Sequence, residues 1–168
     1  TILDPEFGAF QRVIELALNI LEDIISSNDN QSIEIITNPG YLEVFVAYFY
    51  MIESARCIQL LIKKHPRVQP NLIDLGLFSN IAEGIKTYEH AEACVTCIST
   101  INEPEKYPQF FGMMIPYLLE FIGSGDDNLK SISMEVLQNI CRGNEELTAH
   151  IIANEKFDML FANVEDDL

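Results

Sequence analysis

The sequence predicts an all-α chain, an α–α superhelix built from about four stacked helical hairpins. Three observations predict it. The prolines leave long proline-free stretches with helical periodicity, no segment sustains the two-residue alternation of a half-buried strand, and one apolar stripe recurs about every forty residues.

The seven prolines are Pro5, Pro39, Pro66, Pro70, Pro104, Pro108 and Pro116, and the stretches they spare are 7–38, 41–65, 71–103 and 117–168. Proline inside a helix costs about 3 kcal/mol, so these positions are expected to mark where helices break or begin. No Asn-Gly or Asp-Gly pair signals a hairpin of strands.

Each helical stretch carries a stripe with i, i+1, i+4, i+5 spacing, the pattern of one buried helix face. In chain order the stripes are Leu16, Ala17, Ile20 and Leu21; then Cys57, Ile58, Leu61 and Ile62; then Cys97, Ile98 and Ile101; then Val136, Leu137, Ile140 and Cys141. One register position within them is held by Asn19, Leu60, Thr100 and Asn139, separated by 41, 40 and 39 residues. After each stripe come a loop and an apolar doublet: Ile35-Ile36, Leu72-Ile73, Phe110-Phe111 and Ile151-Ile152. New helices are expected at Tyr41, Leu77, Ile115 and Lys156, with Gly40 and Gly76 supplying two of the turns. The predicted organisation is one domain over 1–168, with repeats at 7–40, 41–76, 77–114 and 115–155 and another opening in 156–168. A single helical hairpin cannot bury its apolar face alone, so repetition is what gives such a chain a core. With no initiator Met, the chain is treated as open to further repeats at either end, and Thr1 to Phe7 are set aside.

The segment from Ile115-Pro116-Tyr117-Leu118-Leu119 through Gly123-Ser124-Gly125-Asp126, on to Asn139, Gly143-Asn144 and Ile151-Ile152, resembles an armadillo repeat, within the broader armadillo and HEAT-like group. The resemblance implies a first helix, an Asp-containing turn, a short second helix, a long third helix and a Gly-Asn exit. It implies further that the third helices line a concave face. Asn19, Leu60, Thr100 and Asn139 fall on that line, and Glu15, Arg56, Thr96 and Glu135 stand one turn earlier. Asn both donates and accepts hydrogen bonds, which suits it to holding an extended peptide backbone. The nuclear-import adaptors of this family use Trp-x-x-x-Asn there. Asn19 and Asn139 fit, but Glu15 and Glu135 occupy the Trp positions and the chain contains no Trp. Tyr48 and Tyr50 offer a second surface, because the unbroken apolar run around them cannot all face inward.

Composition bounds the function. The 168 residues include 10 basic and 26 acidic side chains, a net charge of −16, which argues against nucleic acid and for steering of basic partners. An apolar content of 48% is too high for disorder, and the longest apolar run, Val44 to Ile52, is far short of the roughly 20 residues that span a bilayer. Cys57, Cys94, Cys97 and Cys141 are expected to be reduced and buried, in keeping with a cytoplasmic or nuclear location. Cys94-Val95-Thr96-Cys97 is a CxxC without a second ligand pair. His65, His90 and His150 have no nucleophile at a recognisable spacing, and no phosphate-binding, esterase-elbow or zinc-protease motif occurs. No cofactor, metal site or catalytic group is expected. The expected function is a protein–protein interaction scaffold or adaptor that takes a protein or peptide partner along the concave face, its oligomeric state left open. A regulatory subunit or Hsp70 nucleotide-exchange cochaperone is the alternative, and an enzyme a weaker one.

Overall fold

The computed structural model describes residues 5–27, 30–142 and 144–158. Among these residues there are ten α-helices and no strands: α1 (Pro5–Ser26), α2 (Asn30–Ile36), α3 (Pro39–Ala47), α4 (Ile52–Lys64), α5 (Gln69–Asp74), α6 (Leu77–Gly84), α7 (Ala91–Ile98), α8 (Pro108–Ile122), α9 (Asp127–Cys141) and α10 (Glu145–Ile152). Packing divides the chain into two compact units, Thr1–Leu77 and Phe78–Leu168. The division falls one residue past the expected boundary between the second and third repeats.

In the first unit the long helices α1 and α4 pack against each other. The predicted stripe of α4 (Cys57, Ile58, Leu61 and Ile62) is fully buried. From α1 the inward residues are Leu18 and Ile25, and the Cys57 thiol donates to the Leu18 carbonyl at 3.5 Å. The predicted α1 stripe is therefore corrected: Leu16, Ala17 and Ile20 are exposed and Leu21 is half-buried. Apolar residues cover so much of α1's circumference that their spacing alone could not select the side α4 would occupy. The short helix α3 opens at Asn38, whose side chain accepts from the Gly40 N–H at 3.2 Å, with Pro39 preset for the first turn. It seats Leu42, Phe45 and Val46 in the core, and the buried Ser54 hydroxyl ties α4 to it by donating to the Phe45 carbonyl at 2.8 Å. At Gly76, φ is +96°, a conformation that favours glycine, and α6 starts at the next residue as expected.

The second unit is built on α8 packed against α9, with α7 and α10 also against α9. Asp126 caps α9 by accepting from the Leu129 N–H at 3.0 Å, and Asn144 caps α10 from the Leu147 N–H at 3.0 Å. Both caps are the turn and exit residues that carry the armadillo resemblance; Gly143 lies outside the described residues. Pro116 does not begin a helix as expected. It lies within α8, which runs unbroken from Pro108. The proline penalty of about 3 kcal/mol is outweighed by eight buried apolar side chains on the same helix, each contributing roughly 1.5–3 kcal/mol. The apolar doublets divide in the same way. Ile36 and Ile151 are buried while Ile35 and Ile152 are each 58% exposed, because successive helical residues point about 100° apart. Phe110 and Phe111 are the exception, both buried, with Phe110 stacked on Phe78 at 3.9 Å between ring centroids. The helix expected from Lys156 is not formed in the described residues, which turn as far as Asp158; 159–168 lie outside them.

Candidate functional site

Armadillo resemblance placed the binding residues on the long helices, and the structure treats them unequally. On α1, Asn19 is exposed and Glu15 is half-buried, its carboxylate 3.0 Å from the Arg12 guanidinium. On α4, Arg56 is exposed and Leu60 half-buried. These four therefore sit on two helices that pack directly together within one unit.

In the second unit, Glu135 on α9 is exposed and Asn139 is half-buried. Asn139 borders a void of about 10 Å³ beside Ile98, Phe111 and Val136, room for one water at most. Thr96 is a correction. It is buried, because Ala91 and all six residues from Ala93 to Ile98 of α7 are enclosed. Thr100 lies past the end of α7, half-buried, and its hydroxyl donates to the Cys97 carbonyl at 2.8 Å. The α7 position that does reach solvent is Glu92, whose carboxylate accepts from the Asn128 side chain of α9 at 2.8 Å.

Of the two aromatic candidates, Tyr50 is exposed and Tyr48 half-buried, their ring centroids 6.2 Å apart. Phe49 between them is buried and meets Tyr50 edge-on. A groove of about 570 Å³ between α8 and α10, with Gly112, Met113 and Leu147 beside His150, was not anticipated. Its signal in the sequence is faint, because it depends on two helices from different repeats meeting.

The CxxC cysteines do not have the environment of reactive thiols. Burial pushes Cys57 and Cys94 up to about 12 and raises Cys97 as well, which keeps all three protonated at neutral pH. Cys57, Cys94 and Cys97 are core residues as expected, whereas Cys141 at the end of α9 is exposed. Among the described residues no group of three or more His, Cys, Asp or Glu side chains is placed to hold a metal ion. No helix among them is long and apolar enough to cross a membrane.

The ion pairs found, Arg12–Glu15, Lys86–Glu83, Lys106–Glu103 and Lys156–Glu120, lie at the surface. Pairs of this kind contribute on the order of 0–1 kcal/mol. They engage four of the ten basic residues.

Comparison with known proteins assigns the fold. A designed armadillo repeat protein in complex with the peptide (KR)4 is similar over 89% of this chain and 67% of its own, with a TM-score of 0.72 and 19% identity. An engineered protein is similar over 95% of this chain and 68% of its own, with a TM-score of 0.74 and 19% identity. No protein-family model matches the chain, and no curated protein matches it. The class of fold is thereby defined: an armadillo-like helical-repeat fold, an α–α solenoid.

Proposed function

We propose that this chain is a protein–protein interaction module that binds extended, basic peptide segments along solvent-facing residues of the long helices within each of its units. The observation that carries the reading is the placement of Asn beside acidic side chains: Asn19 with Glu15 on α1, and Asn139 with Glu135 on α9. Asn side chains supply the paired donor and acceptor that an extended backbone needs, and the carboxylates attract the peptide's cations. A net charge of −16 adds long-range attraction. The similar designed armadillo protein was solved with a peptide of alternating Lys and Arg, which supports the ligand class. Among the described residues the surface offers repetition and charge rather than a converging set of nucleophile, base and oxyanion donors, which favours a binding reading.

Fluorescence anisotropy with a labelled (KR)4 peptide tests this. Binding is expected at about 0.05 M salt and should weaken steeply towards about 0.5 M, where the screening length falls to a few ångströms. Glu135→Lys combined with Asn139→Ala should cost about tenfold in affinity or more. Affinity unchanged by that pair overturns the assignment of the site to α9. An absence of binding at low salt overturns the ligand class.

A further inference from the structure

The groove between α8 and α10 combines apolar surface with two acceptors that the fold leaves unused. α8 lines it with Gln109, Gly112 and Met113, and α10 with Glu146, Leu147 and His150, each set spaced to share one helix face. Its volume of about 570 Å³ falls within the roughly 300–1,000 Å³ of ligand-binding clefts. Buried Leu147 and Met113, which is 57% exposed, supply the apolar part. Glu146 is the one carboxylate of the lining, with no lysine or arginine beside it there, and it enters none of the ion pairs found among the described residues. The second acceptor comes from the main chain. In a regular helix the Gly112 carbonyl would accept from the N–H of residue 116, but that residue is Pro116, which has no N–H and whose ring crowds the same carbonyl. Having no side chain, Gly112 lines the groove with backbone alone. The described chain beyond α10 leads away from this place: Lys156 reaches Glu120 at 2.6 Å, about 10 Å further along α8 than Met113.

We infer that this groove takes an arginine side chain of a partner protein, its stem along Met113 and Leu147 and its guanidinium shared between the Glu146 carboxylate and the Gly112 carbonyl. An arginine matches both halves of the lining, because its methylene stem covers apolar surface while its head remains charged. Its five donors lie in a planar fork that serves two acceptors at once, whereas a lysine ammonium is a compact, strongly hydrated point charge. A hydrogen bond from a cation to a carboxylate is about twice as strong as a neutral one, which sets the orientation. A neutral apolar occupant would cover the carboxylate and the carbonyl and leave both unpaired, at a cost in desolvation. A second copy of this chain brings −16 against −16, so charge also disfavours self-association here. The site is separate from the Glu135 and Asn139 contact on α9, since neither residue lines the groove.

The probe is a capped peptide with one arginine flanked by two alanines on each side, compared with its lysine and citrulline counterparts. The readout is the methyl NMR resonance of Met113 in the full chain, assigned by its loss in Met113→Leu, which reports on the groove rather than on general attraction to an acidic surface. The arginine peptide should shift it saturably, with the lysine peptide at least about threefold weaker and neutral citrulline about tenfold weaker or more. Glu146→Gln should weaken the arginine peptide about tenfold. Pro116→Ala is the sharper variant: it gives the Gly112 carbonyl an internal donor, so binding should fall about threefold while thermal stability holds or rises. A fall in binding without a fall in stability cannot come from unfolding. Glu135→Lys with Asn139→Ala should leave this binding unchanged, which keeps the test independent of the (KR)4 site. No shift at Met113, or equal affinity for lysine, overturns the assignment to arginine. Equal affinity for citrulline gives the groove to a neutral ligand and overturns it too, as does indifference to both Glu146→Gln and Pro116→Ala.

Discussion

Lys64→Met tests how the first unit holds its long helices together. The last turn of α1 has no basic residue of its own, and its Ile25 and Ser26 carbonyls receive the Lys64 ammonium from α4 at 3.0 and 2.9 Å. A cation at a helix C-terminus is worth about 0.3–1 kcal/mol through the helix dipole, and a hydrogen bond to a charged group about 1.5–3 kcal/mol. Lys64 is only half-buried, so water recovers part of this on substitution. The net loss should be about 2 kcal/mol, because Met retains the packing of the stem while removing the charge and both bonds. Native-state hydrogen exchange reads this directly: a loss of 2 kcal/mol is roughly a thirtyfold fall in protection of the α1 amides from Leu18 to Ile25. Lys63→Met, at the exposed neighbouring position, is the control and should change protection little. A Lys64→Met effect below about threefold, or one equalled by Lys63→Met, refutes the idea that this reach across 39 residues fastens the end of α1.

Three further predictions concern the core and the caps. Unfolded thiols ionise near pH 8.5, whereas buried Cys57 and Cys94 stay protonated until about pH 12. Stability is therefore full below pH 8.5 and falls as the pH rises towards 12, by up to about 1.4 kcal/mol per pH unit for each thiol, and Cys57→Ala with Cys94→Ala should flatten that slope in urea midpoints. A thiol reagent at neutral pH should react readily with exposed Cys141 in the native protein and with all four cysteines only after unfolding. Asp126→Ala and Asn144→Ala each remove a side-chain cap and should cost about 1 kcal/mol in chemical denaturation, whereas Asp126→Asn, which retains the acceptor, should cost a few tenths.

The fold was legible because its signals were redundant. The stripe at Cys57, Ile58, Leu61 and Ile62 is buried in full, Gly76 takes the left-handed turn before α6, and Asp126 and Asn144 cap the helices that the armadillo resemblance implied. Boundaries were less legible where burial outweighs local preference. Pro116 states a strong local objection to helix, and the eight buried side chains of α8 overrule it. Facing was least legible. Periodicity finds the apolar arc of a helix, but the neighbour that fills it is a property of the assembled unit; α1 has apolar residues on both sides, and Leu18 rather than Leu16 turned inward.

The same distinction redraws the site. A repeat register assigns equivalent positions equal roles only while each repeat has equal neighbours, and α7 does not. Its residues from Ala93 to Ile98 are all enclosed, so the register position one turn before Thr100 is filled by a buried Thr96 rather than a solvent-facing residue. Its exposed Glu92 is engaged by Asn128, and the Thr100 hydroxyl is spent on its own chain. On α9, by contrast, Glu135 is exposed and Asn139 half-buried, so the proposed peptide contact in the second unit centres there. This is why the paired substitution at those two residues discriminates more sharply than any change on α7: a Thr96 variant would disturb packing first, and a loss of binding there would say nothing about contact.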